Sequence, residues 1–265
     1  MVISPHADDA AAFCGGTIAR LADQGWRVVL VRVTDDCRDS VGLTIEETRK
    51  RNAVELRNAA RIMGVSDIIE LAFETDRLAD ESLVKLRERI VYLFRKYRPY
   101  AVFTFDPFGL YEGNMDHVRV AQATEEAFWV SCFDLHHPDH FTEEIRPFSV
   151  CERWYFGRCL AHPNRAEDVT DFIEKKIDAL CAHGTMMRNT INQSVLQLAT
   201  HGRRMPMLQE AMDGDMKPLV SAFVGGQAST VAKKHGLAEG RFAEEFRYER
   251  FGDMEELFQS TSEPI

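Results

Sequence analysis

Apolar residues along the first two-thirds of the chain come in short runs separated by longer stretches with helical spacing, the pattern of strands alternating with amphipathic helices. A first strand is read over 2–4, then a helix over about 10–24 whose Phe13, Ile18 and Leu21 recur on one face. A Val-rich strand over 27–34 leads through a polar loop, 35–42, into a helix over 44–63. Gly64 ends that helix because it tolerates positive φ. A strand over 66–73, a helix over 83–97 stopped by Pro99 and a strand over 100–105 come next. Asp106-Pro107 then opens a Gly-containing loop to Asn114, with a helix over 117–130 beyond it. Residues 147–155 have strand character, and 169–183 are helical with Ile173, Ile177 and Leu180 on one face.

This alternation predicts an α/β, Rossmann-like fold: a mainly parallel sheet with helices on both faces. Residues 184–240 read as a C-terminal helical extension, a cap or oligomer contact, within one domain spanning 1–265. A homo-oligomer is therefore expected. There is no internal repeat or low-complexity tract.

Charge narrows the partners. Lys+Arg of 32 against Asp+Glu of 42 leaves a net charge of −10, which argues against nucleic acid or an anionic membrane surface. Every apolar run falls far below the ~20 residues a membrane span needs. The start lacks a basic and then apolar leader, so export is not expected. The opening strand, about three residues against a typical ~5–6, is expected to lack its beginning. Cys14, Cys37, Cys132, Cys151, Cys159 and Cys181 are scattered without a CxxC pair and read as reduced thiols of a cytoplasmic protein.

The chemistry concentrates where strands end. Pro5-His6-Ala7-Asp8-Asp9 lies between the first strand and the next helix, the sheet edge where open α/β proteins bind ligands. One imidazole and one of the two carboxylates can hold a metal, leaving the other carboxylate facing its open side. The bland account is a helix N-cap, in which an aspartate satisfies free amides. Asn114-Met115-Asp116-His117 reaches the same edge from the fourth strand. Two His and one Asp then make the three-ligand set of a catalytic metal, zinc by preference and Fe(II) as the alternative. His136-His137-Pro138-Asp139-His140 is denser in ligand types but comes after a helix, so it is read as a surface loop turned by Pro138.

These residues resemble the LmbE/PIG-L family of zinc-dependent de-N-acetylases, closest to its diacetylchitobiose deacetylase-like branch. Ser4 to Asp9 stands where the family writes PHPDD, and Asp116-His117 matches the second metal signature. Gly15-Gly16-Thr17, Thr34-Asp35, Glu55 with Ala59 and Gly64, and Asp106-Pro107 also match. Later matches are Pro138-Asp139-His140 through Pro147, Pro163-Asn164, Asp168-Val169-Thr170, Lys176, Ala179, His183 and Ala243 to Arg247. The resemblance implies His6, Asp9 and His117 as zinc ligands, Asp8 as general base and Asp116 as a group orienting the site. It implies Asp76 as a contact for sugar hydroxyls. Tyr111 and Glu112 flank the metal loop and shape the pocket, and His183 either lines that pocket or packs helices.

Four positions depart from the family pattern: Ala7 for a proline, Asn114 for a histidine, Asn52 for an arginine and Met186 for a glutamine. Asn114 can donate a hydrogen bond but cannot shuttle a proton. The expected activity is removal of an N-acetyl group from an amino sugar or sugar conjugate by metal-activated water. A hydratase of an unsaturated oxo-dicarboxylate on the same fold is the alternative, and it calls for two cationic clamps. A nucleotide-binding domain without catalysis is disfavoured because no GxGxxG comes after the first strand.

Overall fold

A computed structural model describes residues 1–264. Its seven strands form one sheet in the order β3-β2-β1-β4-β5-β7-β6. These are β1 (Val2–Ser4), β2 (Val29–Thr34), β3 (Asp67–Phe73), β4 (Ala101–Phe105), β5 (Glu152–Phe156), β6 (Arg165–Asp168) and β7 (Ala243–Arg250). β1 pairs with β4, β2 with β3 and β4 with β5 in parallel, while β7 runs antiparallel to β5. The near-continuous apolar reading of β2 stems from burial of all six of its residues, as in strands covered on both faces. At the sheet margin β3 stays partly exposed and carries Asp67 and Glu70, charges that discourage edge pairing.

Two compact units make up the chain. One comprises 1–3, 78–165 and the segment from Phe246; in it α3 (Leu83–Tyr97) packs on α4 (Met115–Val130). Its core includes Phe94 stacked on Phe128 and Phe103 stacked on Trp154. The other comprises 4–77 and 166–245, with α1 (Asp9–Asp23), α2 (Ile45–Met63), α5 (Ile173–Ala182), α6 (Gly184–Thr200), α7 (Pro206–Asp213) and α8 (Lys217–Lys234). Here α5 packs on α1, α2 and α8. A short α9 (Glu255–Thr261) closes the described chain. No helix among the described residues is long and apolar enough to cross a membrane.

Local chemistry sets the helix ends. Thr44 and Glu47 form a reciprocal capping box at the start of α2, and Gly64 ends it at φ +75°. Arg98 takes the left-handed cap of α3 at φ +49°, immediately before Pro99.

α1 is broken at Cys14, whose φ of −138° and ψ of 18° leave the helical region. Just beyond the break the amides of Gly16 and Thr17 donate to the two oxygens of Glu244, at 2.9 and 2.8 Å. The same carboxylate accepts Lys176 Nζ at 2.6 Å. Gly16 is required by close approach: a Cβ there would come within 2.8 Å of Val169 Cβ. Gly16, Thr17, Val169, Lys176 and Glu244, which carry much of the family resemblance, therefore form a buried brace on α1.

Three segments differ from the sequence reading. β5 begins at Glu152 rather than 147: the Phe148 amide bonds the carbonyl of Ser131, outside the sheet, and the chain joins β4 where the amides of Cys151 and Glu152 reach the carbonyl of Tyr100. β6 and β7 escape periodicity because their sequences, RAED and AEEFRYER, are rich in charge. Much of that charge is paired, as in Arg247 with Asp106 and Arg241 with Asp168.

Candidate active site

The turn after β1 is held from its own backbone outward. Ser4 Oγ donates to the carbonyl of His6 at 2.8 Å, and Thr34 Oγ1 donates to the carbonyl of Pro5 at 2.9 Å. Asp9 Oδ2 accepts the His6 amide at 2.8 Å and lies 3.4 Å from His6 Nδ1. Two ligands on one tetrahedral zinc with bonds of about 2.0–2.1 Å stand roughly 3.4 Å apart, so the His6–Asp9 separation suits a shared ion. Asp8 occupies the N-cap position of α1 but makes no side-chain capping bond. The helix-cap account thus fails for Asp8, and its carboxylate is not committed to the helix end.

Burial, and then the neighbouring Asp9, push the Asp8 carboxyl well above its ordinary range despite the opposing pull of His6, with Asp39 and Asp36 adding to the rise. Burial likewise raises Asp36 to about 7, although His6 and Arg32 act in the other direction. Carboxylates crowded in this way repel one another in low dielectric, and a divalent cation relieves that repulsion.

β4 supplies the second half. β1 and β4 are parallel neighbours with Val2 opposite Phe103, so their carboxyl ends point the same way. Phe105, the last residue of β4, stacks on the His117 ring with centroids 4.0 Å apart. Asn114 caps α4, its Oδ1 accepting the Asp116 amide at 2.9 Å, and His117 lies in the first turn. Each of His6, Asp9 and His117 offers one ligand atom, and these atoms lie within 4.8 Å of one another. All three side chains are buried. A nitrogen, nitrogen, oxygen donor set of this kind fits zinc or Fe(II).

Other predicted positions take different places. Asp116 is buried, and its Oδ1 accepts the Leu78 amide at 3.3 Å, fixing the segment that enters α3. Asp76 is exposed, in a left-handed turn at φ +65°. Tyr111, also left-handed at φ +59°, is 92% exposed on the loop before α4. His183 is fully buried at the joint of α5 and α6, where burial lowers its pKa to about 4 and keeps the ring neutral. Glu112, read in sequence as flanking the metal loop and shaping the pocket, lies 3.2 Å from His117 Nδ1. Burial alone would raise its carboxyl, but His117, the Asn114 amide and Arg158 outweigh that and hold it below its usual range.

Glu88, His137 and His140 form a second group of ligand-type residues. Arg95, itself buried, donates to the carbonyls of Ser131, Phe133 and His137, and its Nη1 faces His140 Nδ1 at 3.4 Å. A guanidinium has no acceptor, so this contact assigns Nδ1 as the lone-pair side and puts the proton on Nε2, 3.5 Å from Glu88. A cation there would displace that proton beside a fixed positive charge. This cluster serves as a loop anchor: Pro138 does turn the chain, but His140 is buried rather than on a solvated surface.

The fold and this site define a class: Rossmann-like proteins whose neighbouring strand ends join two imidazoles and a carboxylate, with a further uncommitted carboxylate beside them. Residues 1–128 match the family described as "PIG-L: GlcNAc-PI de-N-acetylase". The chain is 30% identical over 186 residues to the diacetylchitobiose deacetylase of Thermococcus kodakarensis, covering 69% of this chain and 68% of that protein. It belongs to the PIG-L (LmbE-like) family. A probable N-acetyl-alpha-D-glucosaminyl L-malate deacetylase 2 of Bacillus cereus is 27% identical over 199 residues, covering 69% of this chain and 81% of that one. The fold is that of N,N'-diacetylchitobiose deacetylase from Pyrococcus horikoshii, with a TM-score of 0.74 and 24% identity over 98% of this chain and 85% of that one.

Proposed function

We infer that this protein is a metal-dependent hydrolase that removes the N-acetyl group from an amino sugar or sugar conjugate. The observation that carries the reading is the pairing of the His6, Asp9 and His117 group with an adjacent carboxylate, Asp8, that caps nothing. The named activities of the relatives, on diacetylchitobiose and N-acetylglucosaminyl malate, support the substrate class.

His6, Asp9 and His117 would hold the ion, zinc by preference and Fe(II) as the alternative. Once held, it supplies Lewis acidity, worth several kcal/mol of charge stabilisation at the reacting carbonyl. Asp8, whose carboxylate makes no capping bond, takes a proton from the attacking water as the water oxygen bonds to the acetyl carbon. The C–N bond then breaks, and Asp8 passes that proton to the departing nitrogen, giving the free amine and acetic acid, which ionises to acetate. Asn114 uses its carbonyl oxygen in the α4 cap, so its NH2 is the half that can donate to the developing oxyanion. One carboxyl thereby handles the proton in both directions, which makes a histidine at position 114 dispensable.

The hydratase reading is weaker. It needs cations for two substrate carboxylates, yet Arg38 is paired with Glu74, Arg49 with Asp35 and Arg158 with Glu112. The test is acetate release from N-acetylglucosamine and diacetylchitobiose, with hydration of an unsaturated oxo-dicarboxylate measured in parallel. Acetate release that a chelator stops and zinc or Fe(II) restores is expected. Hydration without acetate release would overturn the assignment.

A further inference from the structure

We propose that Glu112, held by Arg158, is the positioning residue that orients His117 for the ion. This rests on the reading of His117 as a metal ligand. A ligating imidazole usually donates its second ring N–H to a carboxylate or carbonyl, which fixes the tautomer and the ring plane and makes the ligating nitrogen more basic. Glu112 is placed for that role by contacts that give its two oxygens separate tasks.

Oε1 accepts the Asn114 amide at 2.9 Å and Arg158 Nη1 at 2.8 Å, which pins the carboxylate to the loop and to the chain just beyond β5. Oε2 is turned to His117 Nδ1 at 3.2 Å. The two atoms are close without the alignment of a hydrogen bond; a small turn of the ring sets an Nδ1 proton on this oxygen and leaves Nε2 to ligate. One face of the imidazole is fixed by the Phe105 ring, so the plane is held by stacking and the rotation by the carboxylate.

The loop is built to hold Glu112 inward. At its start, Asp106 Oδ1 accepts Arg247 Nε at 3.2 Å, Arg247 Nη2 at 3.0 Å and the Phe108 amide at 3.0 Å; Oδ2 accepts the Ala161 amide at 3.1 Å. Midway, the Leu110 amide reaches the carbonyl of Cys159 at 2.9 Å. The left-handed turn at Tyr111 then sends that ring into solvent while the next side chain, Glu112, is only 11% exposed. A positive-φ tyrosine is an unfavoured conformation, and here it separates an outward ring from an inward carboxylate.

Zinc dissociation constants of the wild type, Glu112→Ala, Glu112→Gln and His117→Ala, measured by competition with a chromophoric chelator, test this directly. Glu112→Ala is expected to bind zinc about 10–100-fold more weakly, the usual effect of losing such a partner. The metal-free unfolding midpoint should change little. Glu112→Gln should recover part of the affinity, because its carbonyl oxygen can accept from Nδ1 once the ring turns to it. If Glu112→Ala binds zinc within twofold of the wild type while His117→Ala loses it, the role of Glu112 is overturned and the site assignment stands. If the wild type binds no zinc, both fail together. Equal loss in Glu112→Ala and Glu112→Gln with a lowered unfolding midpoint would mark a structural role only and overturn the proposal.

Discussion

Replacing Asp8 with asparagine is expected to lower turnover by about 10²–10⁴ while leaving zinc bound, the range typical of a lost general base. Asparagine keeps the shape of the side chain and cannot take the proton from water. The helix should not suffer, because Asp8 makes no capping bond that the substitution would remove. The burial and the neighbouring Asp9 that raise the Asp8 carboxyl favour an uncharged side chain at this position, so the variant should fold at least as well as the parent. Acetate release and zinc content, measured on the same preparation, separate catalysis from binding. Turnover within a few-fold of the parent would remove Asp8 from the mechanism.

Glu244→Ala is expected to destabilise the protein by about 3–5 kcal/mol, the cost of leaving one member of a buried pair without its partner. The side chains of Lys176 and Glu244 are 7% and 2% exposed, so water cannot replace the lost carboxylate. The amides of Gly16 and Thr17 would lose their acceptor as well, at the point where α1 is already broken. Guanidinium unfolding of the metal-free protein should show a lower midpoint with an unchanged slope. A change below 1 kcal/mol would mean that the brace on α1 is carried by packing against Val169 and not by the carboxylate.

How much of this is legible in the sequence depends on how local each relation is. His6, Asp8 and Asp9 lie within four residues, so one turn of chain brings them together. His117 can be added because two parallel strands ending side by side deliver their next loops to one edge. Spacing cannot divide the work between Asp8 and Asp9. The proposed division rests on the backbone of the turn, where the His6 amide donates to Asp9 and Asp8 makes no capping bond. β7 is hidden because its inward residues include Glu244 and Arg247, whose partners Lys176 and Asp106 are 68 and 141 residues away in the chain. Helical spacing alone leaves His183 between two readings, since it does not say what covers a face, and burial on all sides is visible only in the fold. The His136 to His140 run is dense in ligand types, yet its anchoring role depends on Arg95, 42 residues before His137 and 45 before His140.

The most direct measurement is a zinc titration of the metal-free protein, read by calorimetry, for the wild type and for His6→Ala and His117→Ala. One tight equivalent per chain in the wild type, lost in both variants, is the predicted result. Binding in His117→Ala with wild-type stoichiometry and affinity would contradict the claim that residues from these two strand ends share one ion.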